Sequence, residues 1–280
     1  TENAAKACSL TNGIPVAAGA GDNAAAAIGT SVCKNGRAFT TIGTSGVVFA
    51  HTDKMIFDKQ GRIHTFCCAV PGAWHVMGVT QAAGLSLSWF RNNFAKDLSY
   101  GEIDKLCESI PIGAEKLIYL PYLMGERTPI LDIDARGVFF GLSAMHTKAH
   151  LARAIMEGVS YSLKNCLDVL NEVGVGAADM ALCGGGSKGN FWRGMIADVF
   201  DMPVKIMQSD EGPALGAAIL AGCAAGVFKN VQEGCTKLVK VKEEQPPVKE
   251  NHMEYEKFYS VYNGLYPALK DSFSRLAKIL

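Results

Sequence analysis

The sequence predicts an α/β fold, a mixed sheet with helices on its faces, and three observations lead there. Apolar runs of β character crowd residues 37–79. Helical periodicity begins at residue 81 and returns in a long stretch after Thr147. The following segment then alternates strand and helix patterns around a glycine run.

Taken in order, Ile14–Ala18 reads as a short buried strand and Asp22–Ile28 as an Ala-rich helix. Arg37–Ile42 and Val47–His51 form a hairpin across Gly43-Thr44-Ser45-Gly46. Further strands are expected at Arg62–Ala69 and Trp74–Val79, parted by the turn dipeptide Pro71-Gly72. From Gln81 a helix sets Leu85, Trp89, Phe90 and Phe94 on one face, and Leu117–Gly141 mixes short strands with a charged loop at Glu126-Arg127 that reads as solvated. Thr147 is a candidate N-cap for a long helix whose Leu151, Ile155, Val159, Leu163 and Leu167 recur at fourfold spacing. A strand (Met180–Cys183), a helix (Phe191–Phe200), a strand (Val204–Met207) and a helix (Pro213–Ala225) follow. Lys237–Lys249 reads as a surface loop, and an aromatic-rich helix begins near His252. A β-meander followed by helix-strand-helix-strand-helix is the plan of a ribonuclease-H-like, actin-like ATPase domain, with a five-stranded mixed sheet. Residues 1–280 read as one such domain with a helical C-terminal trim.

With 49% hydrophobic and 19% charged residues, the composition is that of a soluble globular chain. Lys plus Arg and Asp plus Glu both number 27, and the missing basic excess argues against nucleic acid as a partner. No apolar run of about 18 residues suggests a membrane span. The nine Cys are odd in number and form no CxxC, so they read as reduced, mostly buried thiols of a cytoplasmic protein. The three Trp and the C-terminal aromatic stripe read as core, and the six His show no metal spacing.

Several positions carry chemistry. Gly19-Ala20-Gly21-Asp22-Asn23 follows a strand pattern and opens a helix, where backbone N–H groups suit a phosphate. A dinucleotide-binding turn would need an acid about 20 residues on, and residues 38–48 contain none. Asp22 is either a helix N-cap or a general base. The Gly43–Gly46 turn offers close amides and two hydroxyls. Gly184-Gly185-Gly186 needs bare backbone either for a nucleotide lying on it or for helix–strand packing. Asn190 is a cap or a partner for an adenine or ribose. Glu157, on the apolar side of the long helix, needs a backbone amide or an Arg beside it.

Together these motifs resemble the FGGY family of carbohydrate kinases. Its long signature is matched by Gly137-Val138-Phe139-Phe140-Gly141-Leu142, seven residues, then His150-Leu151-Ala152-Arg153-Ala154-Ile155-Met156-Glu157. Pro121-Tyr122-Leu123-Met124-Gly125-Glu126-Arg127-Thr128-Pro129, Val79–Gly84 and Phe39–Val48 resemble members that act on D-xylulose. The resemblance implies phosphorylation of a ketopentose with ATP and Mg²⁺. It implies Asp22 as catalytic base near the metal, Gly43, Thr44 and Ser45 as the second phosphate loop, and Gly185, Gly186 and Asn190 as adenosine contacts. Ala214–Ala218 would lie on the helix beside that pocket. Dimers are common in the family, so a homodimer is an expectation. The family's first phosphate loop and most sugar contacts precede the Asp22 motif and have no counterpart in the chain. The expectation is therefore a nucleotide-binding C-terminal half, inactive alone. A kinase for another sugar or polyol (glycerol, gluconate, ribulose, rhamnulose, fuculose) and a non-catalytic actin-like ATPase module are the alternatives.

Overall fold

The computed structural model describes residues 1–279. In chain order the elements are α1 (Glu2–Ala7), α2 (Asp22–Gly29), β1 (Gly36–Ile42), β2 (Gly46–Thr52), β3 (His64–Cys67), β4 (Trp74–Thr80), α3 (Gly84–Phe94), α4 (Tyr100–Glu108), β5 (Ile118–Leu120) and β6 (Val138–Phe140). They continue with α5 (Lys148–Glu172), β7 (Ala177–Cys183), α6 (Asn190–Phe200), β8 (Val204–Met207), α7 (Gly212–Ala224), α8 (Val231–Leu238), β9 (Val241–Gln245) and α9 (Lys249–Leu276). The main sheet runs β3-β4-β2-β1-β7-β8-β9. Its parallel centre is β1, β7 and β8, and every other pairing is antiparallel.

The expected sheet had five strands, and the observed one has seven. The five are the inner β4-β2-β1-β7-β8, to which β3 and β9 add one edge each. The β9 strand lies inside the segment read as a loop. Its Lys242, Glu243 and Glu244 are exposed, so it shows no apolar face, yet its backbone pairs with β8. Charge on an edge strand discourages further pairing. Conversely, Ile14–Ala18 is not a strand. Ile14 and Val16 are 45% and 88% exposed, and among the described residues no strand runs beside them to take their backbone hydrogen bonds.

Side chains alternate across the sheet and so build two cores. Ala38, Ile42, Val48, Met180 and Leu182 face α5 and α6, while Phe39, Phe49 and Ala181 face Ala27 of α2. The second face is closed by α7 and α8, whose Ile219 and Cys235 pack with Ile28. Between α2 and α7 the closest approaches are bare backbone. A Cβ at Gly29 would overlap the Gly212 carbonyl, and one at Gly216 the Ala25 carbonyl. We expect Gly216→Ala to cost about 1–3 kcal/mol by overpacking, read as a lowered urea midpoint with unchanged slope.

Glu126, expected in a solvated loop, is 3% exposed. Its carboxylate accepts from Thr80 Oγ1 (2.6 Å), Gln81 N (2.8 Å), Arg127 N (2.7 Å) and Ser162 Oγ (3.3 Å), tying β4 to α5. Burial outweighs these donors and pushes the carboxyl up to about 7. A carboxyl raised on folding binds protons more tightly in the native state, so its contribution to stability is lost as pH rises from about 4.5 to about 7. The loss is on the order of 3 kcal/mol. Thermal unfolding of Glu126→Gln against pH should lack this component of the wild-type slope.

All nine cysteines are free thiols. Cys33, Cys107, Cys166 and Cys235 are buried, while Cys8 and Cys67 are exposed.

Candidate functional site

In sheets with a parallel centre, ligands settle beyond the carboxyl ends of the strands. There, past Ile42 of β1 and Cys183 of β7, lies a cavity of about 570 Å³ on the α5/α6 face of the sheet. Three backbone segments and α4 enclose it.

The first segment is the turn after β1. Gly43 N donates to Ser45 O (3.1 Å), closing the turn. Its remaining carbonyls are consumed by the start of α3: Gly84 N donates to Gly43 O (2.7 Å), while Ala83 N and Leu85 N donate to Thr44 O (3.0 and 3.1 Å). That docking explains why α3 begins at Gly84 and not at Gln81, whose amide is given to Glu126. The amides of Thr44 and Ser45 have no partner among the described residues, and both residues are exposed. Unpaired, clustered N–H groups are what an anion requires.

The glycine turn between β7 and α6 is the second segment, and its glycines differ in purpose. Gly184 has φ +84°, and a Cβ there would sit 2.7 Å from Ile42 O; one at Gly186 would overlap the Ile42 side chain. Close strand packing therefore accounts for both. Gly185 has nothing within 4 Å of its Cβ direction and opens to the cavity, which Gly186 also lines.

The α3 face completes the wall. Leu85 and Leu87, with Ile42 and the Trp192 ring, give it an apolar character suited to a flat ring system. The Trp192 indole N–H donates to Ser160 Oγ at 3.1 Å, which fixes the ring.

Gly43, Thr44, Gly185 and Gly186 are thus brought together on one cavity, while Ser45 stands at the end of the same turn. Asn190 is not among the lining residues. It is exposed at the start of α6, its Oδ1 accepting from Arg193 Nη1 at 3.0 Å, and it borders a separate hollow with Asn251 and Tyr255. Asp22 also stands outside the cavity. Gly21 is the N-cap of α2, so the cap reading of Asp22 does not hold; the residue begins the helix and is exposed. Among the described residues its carboxylate accepts only from Asn23, through N (2.7 Å) and Nδ2 (3.4 Å), which leaves it available to a ligand. Gly29, at the far end of α2 from Asp22, borders Met207 and Gln208 at the carboxyl end of β8.

Sequence reasoning missed Asp104. It sits on α4, a helix announced by the capping box of Ser99 and Glu102, and it lines the cavity. Burial, and then Glu108, push its carboxyl up to about 6.

Residues 38–225 match the FGGY family of carbohydrate kinases, C-terminal domain. A xylulose kinase from Staphylococcus epidermidis is 40% identical over 279 residues, spanning 100% of this chain and 56% of the relative. A gluconokinase from Bacillus licheniformis is 34% identical over 275 residues, spanning 94% and 53%. The crystal structure of a xyloylose kinase from Brucella ovis superposes with a TM-score of 0.89 at 34% identity, over 97% of this chain and 55% of that one. The chain therefore spans about half the length of the curated relatives it matches.

Proposed function

The chain belongs to the FGGY family of carbohydrate kinases, and from that premise we propose that residues 1–280 form the nucleotide-binding half of an ATP-dependent kinase for a ketopentose, D-xylulose first. The observation that carries the reading is the single cavity joining the free amides beyond Gly43 to the open side of Gly185. The β- and γ-phosphates lie on the Gly43–Ser45 turn, where main-chain N–H groups donate to their oxygens, and the nucleoside extends over Gly185 and Gly186 toward α4. Asp22 accepts the proton of the attacking sugar hydroxyl. Asn190, whose Oδ1 is held by Arg193, would contact the adenosine through its free Nδ2.

No group of three or more metal-ligating side chains gathers among the described residues. That suits Mg²⁺, which keeps its waters and is commonly held through substrate phosphates and one or two carboxylates. Asp22 is the carboxylate of this chain that would stand near it, the phosphates holding it directly. When bound, the ion neutralises charge on the phosphates.

D-xylulose is favoured over gluconate because the xylulose kinase from S. epidermidis is 40% identical, against 34% for the gluconokinase. Calorimetric titration of the chain with ATP and Mg²⁺ tests the nucleotide half of the proposal. We expect saturable binding, weakened at least about tenfold in Gly185→Val, where the new side chain enters open space without a clash. Unchanged affinity in that variant, at unchanged thermal stability, sinks the site. In a complete kinase containing this chain, ATP consumption with D-xylulose should exceed that with gluconate or glycerol; the reverse order would transfer the assignment to the favoured substrate.

A further inference from the structure

The nucleotide proposed above leaves the acid of the cavity without a task. Among the described residues Asp104 is the only acidic side chain lining the cavity, whose other walls are glycine backbone and apolar side chains with Thr44, Ser88, Tyr100 and one cation, Lys188. No group among the described residues donates a hydrogen bond to its carboxylate. The carboxylate lies over Gly189, the residue before α6, where a Cβ would overlap it. The absence of a side chain at 189 is therefore what admits the carboxylate to this place.

The free amides of Thr44 and Ser45 attract phosphates and the Asp104 carboxylate repels them, so the triphosphate belongs at the Gly43–Thr44 end, with Lys188 and Asp104 at the nucleoside end. A base resting on Gly185 and Gly186 has its outer edge toward Gly189 and the carboxylate that covers it. An ionised carboxylate only accepts hydrogen bonds, and the amino terminus of α6 behind it favours that form. The acceptor therefore fits an edge bearing an amine and opposes an edge bearing a carbonyl oxygen.

We propose that Asp104 accepts a hydrogen bond from the 6-amino group of the purine and so selects adenine over 6-oxopurine nucleotides. The inference rests on the nucleotide reading of the cavity. A hydrogen bond to a charged acceptor corresponds to a preference of about tenfold to a hundredfold.

The test is calorimetry on the 280-residue chain at about pH 8, where a carboxyl raised to about 6 is ionised. ATP, ITP and 2′-deoxy-ATP are titrated into wild type, Asp104→Asn and Gly189→Ala, each checked by thermal unfolding. Wild type should prefer ATP to ITP. Asp104→Asn, which can offer its NH₂ to the 6-oxo group, should shrink that ratio at least about tenfold. Gly189→Ala should shrink it too, because the methyl displaces the carboxylate while leaving its charge. An ATP:ITP ratio unchanged in a folded Asp104→Asn overturns the assignment. So does a wild-type loss of affinity for 2′-deoxy-ATP that disappears in Asp104→Asn, which would place the carboxylate on the ribose. If no nucleotide binds wild type, the nucleotide reading itself fails, and this inference with it.

Discussion

Asp22→Ala, in a complete kinase containing this chain, is expected to lower the turnover number about 10²- to 10⁴-fold, the range for loss of a positioned general base. The affinity for ATP should stay near wild type, because the phosphates are proposed to sit on the main chain of the Gly43–Ser45 turn. The carboxylate has only a small structural duty, accepting one amide of the first turn of α2. It is exposed, it does not cap α2, and its partners belong to the adjacent Asn23. Steady-state kinetics with ATP and sugar varied in turn would check this. A variant that keeps turnover and loses ATP affinity would remove Asp22 from the base role and make it a ligand-binding group.

The second large effect concerns stability. Arg153 and Glu157 on α5 are 5% and 2% exposed at their side chains and paired at 2.6 Å. The guanidinium also donates to Tyr255 Oη (2.7 Å) and to the carbonyls of Ile110 (3.1 Å) and Cys107 (3.3 Å), while Gly113 N donates to Glu157 (3.0 Å). The pair thus joins α5 to α9 and to the segment after α4. Glu157→Ala leaves a buried cation without its counter-charge and should cost about 3–5 kcal/mol in urea unfolding. The double change Arg153→Met with Glu157→Leu removes both charges and should recover most of that loss. If the double variant is no more stable than Glu157→Ala, the cost lies in packing and not in the orphaned charge.

The need for a partner at Glu157 was legible in the sequence, since a carboxylate among apolar helix positions cannot be left alone; the structure supplies both an Arg and a backbone amide. The β1–β2 hairpin, β4, α5 and the glycine turn were legible for similar reasons, each a local pattern with a local cause. What stayed hidden depends on distant chain. Glu126 looks like loop charge until Thr80 and Ser162, far away in sequence, close around it. The β9 strand has no apolar face to betray it, and Ile14–Ala18 has the apolar run without a neighbouring strand. Asp104 was hidden differently: the capping box of α4 was there to be read, but only the approach of Gly189 reveals that the Asp faces a cavity.

The bare-backbone seam between α2 and α7 has a mechanical consequence. Helices that touch through interlocking side chains can slip by exchanging grooves, whereas main chain pressed on main chain has no alternative notch to occupy. The helix bearing Asp22 is therefore geared to α7 as a single lever. A displacement of the helix bearing Asp22 along that seam would carry α7 with it.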